Sequence, residues 1–185
     1  MLSSLKNRGV NDIFIACTDN LTGFSNAINT VFPQTDIQNC IIHQLRNSSK
    51  YVSYKDLKQL MVDLKAIYAA VDEPAAQSAL DTFEEAWGKK YPRIAASWRE
   101  NWANLSTYFK FPQEVRRLIY TTIEGFNRQL RKVTKSKAVF PTDDSLLKML
   151  YLAMMDITKK WTGRRQDWSV IHAQLAIYYA DRMPE

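Results

Sequence analysis

Two acidic residues, Asp19 and Glu124, stand where a carboxylate could do chemistry. Residues 13–24 read IFIACTDNLTGF, so Asp19 follows an apolar run that predicts a strand covered on both faces. A carboxylate at the carboxyl end of a parallel strand lies in the crevice where open α/β sheets bind ligands. Carboxylate oxygens ligate Mg²⁺, and paired divalent ions stabilise the attacking and leaving oxygens in phosphoryl transfer. Asp19 is therefore a candidate metal ligand, and it needs a second acid.

Glu124 begins a cationic helix face and is the candidate partner. In the stretch IEGFNRQLRKVTKSK, four residues recur at helical spacing on one face: Glu124, Arg128, Arg131 and Lys135. One interpretation is a carboxylate that holds a metal ion, followed by cations that bind phosphates. The other is a capped surface helix with an ordinary Glu–Arg pair. The pattern alone leaves both open.

Composition and charge favour a soluble globular protein with a local polyanion contact. Of the 185 residues, 46% are hydrophobic and 24% are charged. Residues 110–137 hold eight basic and two acidic side chains, which equals the whole chain's net charge of +6. Such a block suggests nucleic acid, although a solvated helix face would look the same. No apolar stretch reaches the roughly 18 residues of a membrane span, so we expect a cytoplasmic protein that does not bind membranes.

The apolar spacing predicts a mostly helical α/β fold. Residues 10–18 and 36–42 are predicted strands, joined by a helix that Pro33 ends, which makes a parallel β-α-β unit. Residues 54–108 read as three amphipathic helices. Thr121 and Thr122 are candidate caps for a helix from about Glu124 to Lys137. Two further helices are predicted, one after Asp143 and one over residues 168–179.

Eight motifs succeed one another along the chain: ACTDNLTGFSNAI, VFP, CIIHQLRNSSKYVSYKDLK, FEEAWGKKYP, SWRENWANLSTYFKFPQEVRRLIYTT, IEGFNRQLRKVTK, FPTDDSLLKMLYLA and KKWTGRRQDW. In content and order, from about Asn11 to Arg182, they resemble the Mutator-type transposases of bacterial insertion sequences. Such enzymes are similar to other Asp-Asp-Glu transposases, which interrupt a ribonuclease-H-like core with a helical insertion. They use two Mg²⁺ ions to cut and rejoin DNA. The resemblance implies these properties here.

The resemblance also assigns segments. It implies a partial ribonuclease-H-like β-α-β segment over residues 1–50 and a helical insertion over residues 51–110. Residues 111–140 would supply the core helix that carries the glutamate, and residues 141–185 the carboxyl-terminal helices.

Residue by residue, the resemblance implies two catalytic, metal-binding positions. Asp19 matches the family's second aspartate and Glu124 its glutamate, with Mg²⁺ or Mn²⁺ as cofactor. Cys40 and His43 match a Cys-x-x-His element, for which we predict either a supporting role around the site or packing at the strand-to-helix junction. Candidate contacts to double-stranded DNA at transposon ends are Asn127, Arg128, Arg131, Lys135 and Trp102. The full-length protein is expected to be a homo-oligomer in the bacterial cytoplasm.

Two departures from the family pattern bear on activity. The family's first aspartate has no counterpart, and Asp12 cannot replace it, because on one extended strand it would lie roughly 23 Å from Asp19, whereas paired metals lie about 4 Å apart. Two residues of the family pattern are also missing before Glu124, which shortens a loop or rotates the helix by about 200°. We therefore expect the carboxyl-terminal part of a transposase, from a truncated gene or a partial protein, with little strand transfer alone.

Three alternative interpretations compete with this one. A zinc site on Cys40 and His43 is not expected, because only Cys17 and His172 remain as further ligands. Trp102 could stack on an unpaired DNA base, although core packing is the more ordinary role for a tryptophan. The competing function is a non-catalytic DNA-binding or helical interaction fragment whose acids are incidental.

Overall fold

The computed structural model describes residues 2–135, 139–159 and 167–183, and for residues 120–127 it describes the backbone only. Over these residues the protein is mostly helical with one two-stranded parallel sheet, as the sequence predicts. The strands are β1 (Ile15–Thr18) and β2 (Asp36–Asn39). The helices are α1 (Leu2–Asn7), α2 (Phe24–Val31), α3 (Ile41–Ser49), α4 (Tyr54–Tyr68), α5 (Glu73–Trp87), α6 (Pro92–Glu100), α7 (Trp102–Leu105), α8 (Gln113–Thr134), α9 (Asp143–Lys159) and α10 (Trp168–Tyr178), with a 3₁₀ turn at Thr107–Lys110. The chain divides into two compact units, Met1–Phe111 and Pro112–Glu185.

The first unit begins with the predicted β-α-β arrangement. Strands β1 and β2 are parallel, and their register runs from Ile15↔Asp36 to Thr18↔Asn39. Both are shorter than predicted. The second strand does not extend to Ile42, because Cys40 takes the N-cap position of α3 and the buried Ile41 already lies on that helix.

The helical block after α3 confirms the amphipathic pattern. Helices α4 and α5 pack together through apolar side chains that are almost fully buried: Leu60, Leu64, Ile67, Ala76, Leu80 and Phe83. Asp72 caps α5, because its Oδ1 accepts the Ala75 N–H at 2.9 Å, and Pro74 occupies the first turn. Trp98 of α6 is 1% exposed and donates its indole N–H to Ser48 Oγ at 3.0 Å. It is therefore a core residue.

Hydrogen bonds join strand β2 to residues 105–108 of the helical block. Gln38 of β2 is 1% exposed; its Nε2 donates to the Leu105 carbonyl at 2.9 Å and its Oε1 accepts the Tyr108 N–H at 2.7 Å. Thr107 Oγ1 donates to the Ile37 carbonyl at 2.9 Å. These hydrogen bonds satisfy main-chain groups of β2 and of residues 105–108, and they hold residues 105–108 against the strand.

The second unit is a packed set of helices in which α8 contacts both α9 and α10. Its buried apolar side chains include Val115, Ile119, Ala153 and Ile171. Gln174 of α10 donates to Glu114 Oε2 at 3.3 Å. The main-chain N–H of Glu114 and the Gln174 amide together hold the pKa of Glu114 below its usual value. No helix in the described parts of the chain is long and apolar enough to cross a bilayer.

The predicted start of the Glu124 helix is wrong. Helix α8 begins at Gln113, after Pro112 at the N-cap, and runs without interruption to Thr134. Thr121 and Thr122 therefore lie inside the helix and do not cap it. Because the backbone before Glu124 is helical, no loop there can absorb a two-residue difference from the family pattern. In a continuous helix, such a difference turns the residues before Glu124 by about 200° relative to the residues after it.

Candidate functional site

Asp19 lies where the sequence places it, immediately after β1. It is exposed, and its carboxylate makes no hydrogen bond or ion pair with any other residue that the structure describes. The backbone turns tightly here, because the Asp19 carbonyl accepts the Leu21 N–H at 2.7 Å. Gly23 then takes a φ of 81° just before α2, a conformation that favours glycine. The turn presents the Asp19 carboxylate at the carboxyl ends of the two strands.

Asp12 lies before β1, although the predicted strand over residues 10–18 included it, and its Oδ1 accepts the Ile13 N–H at 2.8 Å. The four residues of β1, which span roughly 13 Å at 3.3 Å per residue, lie between Asp12 and Asp19. The strand is shorter than expected, but Asp12 and Asp19 remain at its opposite ends.

The main chain of Cys40 connects the carboxyl ends of the two strands. Its N–H donates to the Thr18 carbonyl at 2.7 Å, which joins the end of β1 to the start of α3. Burial and the neighbouring Cys40 raise the pKa of the Cys17 thiol to about 12. That shift disfavours the thiolate, the form that ligates zinc. Cys17 and Cys40 are both free thiols.

His43 lies one helical turn after Cys40. Its side chain is half-buried, and its Nδ1 is buried without a hydrogen-bond partner among the described residues. Cys40 and His43 thus lie close to the strand ends, Cys40 at the start of the first turn of α3 and His43 at its end. Their supporting role around a metal site stays a prediction.

Three asparagine side chains form a hydrogen-bonded chain behind the Asp19 turn, which we call the asparagine relay: Asn39, Asn20 and Asn101. Asn39 Nδ2 donates to Asn20 Oδ1 at 3.3 Å, and Asn20 Nδ2 donates to Asn101 Oδ1. Asn101, between α6 and α7, donates its Nδ2 to the Ser97 carbonyl at 2.8 Å. The relay therefore ties the residue after Asp19 both to β2 and to the helical block.

Two buried acceptor atoms near Asp19 have no hydrogen-bond partner among the described residues. They are Thr18 Oγ1 and Asn39 Oδ1. The two residues are register partners at the ends of β1 and β2 and are 7% and 2% exposed. A buried polar atom without a partner costs about 1–3 kcal/mol, so a ligand or ordered water is expected to satisfy them. Neither these residues nor Asn20 was predicted, although a polar Asn39 at the end of the second parallel strand was a usable signal.

The donor set at this edge fits a hydrated, hard divalent cation. An unpaired carboxylate offers oxygen, and Mg²⁺ retains several waters that can donate to neighbouring acceptors. Among the described side chains, no three His, Cys, Asp or Glu residues cluster closely enough to form a complete metal site. The side chain of Glu124 lies outside the described part, as does that of Asn127. Asp19 belongs to the first unit and Glu124 to the second, so their convergence stays a prediction.

The predicted phosphate contacts form an exposed cationic surface on α8. Arg128, Arg131 and Lys135 are all exposed, and none makes an ion pair with another described residue. At about 100° per residue they lie within an arc of about 60° on the helix. This geometry suits a DNA backbone, although DNA contact itself stays a prediction.

Trp102 is half-buried at the start of α7. Its indole N–H donates to Glu73 Oε1 at 2.9 Å. The hydrogen bond fixes the ring beside the start of α5. Base stacking by Trp102 stays a prediction.

Comparison with known proteins identifies relatives over nearly the whole chain. A family model described as "Transposase, Mutator family" matches residues 1–163. The "Transposase for insertion sequence element ISRM3" of Rhizobium meliloti is 45% identical over 98% of this chain and 46% of its own length. A "Probable transposase for insertion sequence element" of Corynebacterium diphtheriae is 35% identical over 99% of this chain and 60% of its own length. The chain thus spans about half the length of the curated relatives it matches.

Proposed function

The chain belongs to the Mutator family of transposases, and on that premise we propose that it supplies part of a metal-dependent site that cuts and rejoins DNA at insertion-sequence ends. Asp19 and Glu124 are the metal-binding carboxylates. Two Mg²⁺ or Mn²⁺ ions, when bound, supply Lewis-acid stabilisation of the attacking and leaving oxygens. A partial ribonuclease-H-like core, residues 1–50 with the helix that bears Glu124, is the corresponding fold proposal.

The observation that carries this proposal is the state of Asp19. An exposed carboxylate with no described cation or donor beside it keeps its oxygens available to a ligand. The carboxyl edge of a parallel sheet is where such ligands bind. Cys40 supports this edge by holding the ends of the strands together through its main-chain N–H.

The cationic surface on α8 supplies the second part of the proposal. Arg128, Arg131 and Lys135 bind phosphate oxygens of double-stranded DNA, which holds the substrate close to the Glu124 helix. Asn127 and Trp102 are further proposed DNA contacts. Asp19 and Glu124 are matched to only two of the family's three carboxylates, so little strand transfer is expected from this chain alone. Homo-oligomerisation is proposed only for the full-length protein.

Calorimetric titration of Mn²⁺ into the chain tests the carboxylate pair. The variants Asp19→Asn and Glu124→Gln remove charge with little change of shape, and each is expected to weaken Mn²⁺ binding at least about tenfold. Glu85→Gln, at an exposed acid on α5 with no partner among the described residues, is the matched control and should bind like the unmodified chain. Unchanged binding in either test variant contradicts the shared site.

A DNA-binding fragment without catalysis is the second candidate. The exposed cations of α8 favour it, because phosphate binding needs no metal. In this case DNA affinity falls steeply with salt and is insensitive to Mn²⁺ and to Asp19→Asn. Robust strand transfer that Asp19→Asn abolishes would instead establish catalysis and show that the family's first aspartate is dispensable.

A further inference from the structure

The asparagine relay has a fixed direction. Its last acceptor is the Ser97 main-chain carbonyl, which cannot donate. Asn101 must therefore turn its nitrogen toward Ser97 and its oxygen toward Asn20. The same constraint passes along the relay, so Asn20 donates to Asn101 and accepts from Asn39. Asn39 is left with its amide oxygen at the free end.

That free end is an acceptor in a place where water has little access. Asn39 is 2% exposed, and no described residue donates to its Oδ1. Its register partner is Thr18, the residue before Asp19, whose buried Oγ1 also has no partner among the described residues. An amide oxygen can only accept, so Asn39 Oδ1 needs a donor that the described residues do not supply.

We propose that Asn39 Oδ1 accepts a hydrogen bond from a water molecule of the hydrated divalent cation that Asp19 ligates. This inference rests on the proposed function, because it assumes a cation at Asp19. Metal-bound waters are strong donors, and outer acceptors of this kind orient the ligands of a metal site. Asn39 is thus a positioning residue, held in place by Asn20 and Asn101, and it does not touch the metal.

Two substitutions distinguish a positioning role of Asn39 from a purely structural one. Asn39→Leu removes the acceptor and keeps much of the volume, and it also removes a buried polar atom that lacks a partner among the described residues. It should weaken Mn²⁺ binding about tenfold, the lower range for lost outer-shell partners. The melting temperature should change little, because the loss of the hydrogen bond to Asn20 offsets the removal of the unpartnered oxygen. Asn39→Asp keeps an acceptor at the same place and should bind Mn²⁺ at least as tightly as the unmodified chain.

Thr35 provides the matched control at the opposite end of the same strands. Its Oγ1 donates to the Ile13 carbonyl at 2.8 Å, and the residue is 8% exposed. Thr35→Val should therefore lower the melting temperature and leave Mn²⁺ affinity unchanged, which is the reverse of the pattern expected for Asn39→Leu.

The experiment is a titration of the full chain and these variants with Mn²⁺ alone, in which the electron paramagnetic resonance signal of free Mn²⁺ is measured. Weaker binding in Asn39→Leu, restored in Asn39→Asp, supports the inference. If Asp19→Asn weakens binding but Asn39→Leu does not, the inference is overturned and the proposed function stands. Equal weakening by Asn39→Leu and Asn39→Asp also overturns it, because the relay bond to Asn20 would then be what matters. Absence of binding by the unmodified chain, or no effect of Asp19→Asn, contradicts both proposals.

Discussion

The two units use polar residues in different ways. In the first unit several polar side chains are buried, including Gln38, Asn39 and Gln44, and each bonds to a main-chain or side-chain group of another element. In the second unit the cations of α8 are exposed, and α9 exposes apolar side chains such as Leu147 and Tyr151. The first unit holds buried polar side chains in place through hydrogen bonds, whereas the second exposes cationic and apolar side chains. Substitutions in the apolar core of the first unit should therefore act mainly on stability, and substitutions of the cations on α8 mainly on DNA binding.

The largest expected effect is on the core of the first unit. Phe83 of α5 is 2% exposed and packs among the side chains of α4 and α5. Phe83→Ala should lower the free energy of unfolding by about 3–5 kcal/mol, because it removes a buried ring and leaves a cavity. Urea unfolding monitored by circular dichroism measures this change.

The matched substitution for Phe83→Ala is Leu147→Ala on α9. Leu147 is 62% exposed, so its replacement should change the free energy of unfolding by less than about 0.5 kcal/mol. Equal losses of stability in the two variants would refute the contrast between the units.

Removing the α8 cations should have the next largest effect, and on DNA binding only. If each phosphate contact contributes about 1 kcal/mol, the triple change of Arg128, Arg131 and Lys135 to Ala weakens DNA binding by about 3 kcal/mol. The slope of log affinity against log salt should fall by about 0.9 for each phosphate that is no longer neutralised. Fluorescence anisotropy at several salt concentrations measures both.

Lys55, Lys58 and Lys65 on α4 provide the charge-matched control for that triple change. Their replacement with Ala should leave the salt slope close to that of the unmodified chain. If the α4 triple variant loses as much affinity as the α8 variant, binding is spread over the molecule and α8 is not the DNA surface.

A smaller effect is expected at Gln38. Gln38→Leu leaves the Leu105 carbonyl and the Tyr108 N–H without their described side-chain partners, which should cost about 2–3 kcal/mol of unfolding free energy. Hydrogen exchange measured by mass spectrometry should show faster exchange over residues 105–111. Exchange that quickens only in the second unit would show that Gln38 does not hold this segment.

The smallest effect concerns pH. Asp56 accepts hydrogen bonds from Lys90, Ser53 and Tyr91, each at 2.6 Å, and these donors, Lys90 first, hold its pKa well below the ordinary value. A carboxylate whose folded pKa is depressed contributes stability above its unfolded pKa of about 4 and loses it as the pH falls further. Asp56→Asn should therefore reduce stability at pH 7 and flatten its decline below about pH 4. Thermal melts from pH 3 to pH 7 would contradict this if both proteins declined in parallel.

Repeating apolar patterns in the sequence predict most helices and the parallel strand pair, and the apolar run before Asp19 predicts its place at the end of β1. The start of α8 at Gln113 could also have been predicted. Val115, Ile119 and Ile123 recur at helical spacing across the two threonines that were predicted as caps. The asparagine relay could not be predicted. Asn20 lies 19 residues from Asn39 and 81 residues from Asn101, and polar contacts at such separations obey no sequence period.

The convergence of Asp19 and Glu124 on one ion is tested most directly by metal-directed cleavage of the chain. Fe²⁺ binds oxygen-ligand sites of this kind, and with ascorbate and peroxide it cuts the backbone close to where it is bound. We expect cuts near residue 19 and near residue 124, both suppressed by excess Mg²⁺ and by Asp19→Asn. Cuts near residue 19 with none near residue 124 would show that the two carboxylates do not share a metal ion.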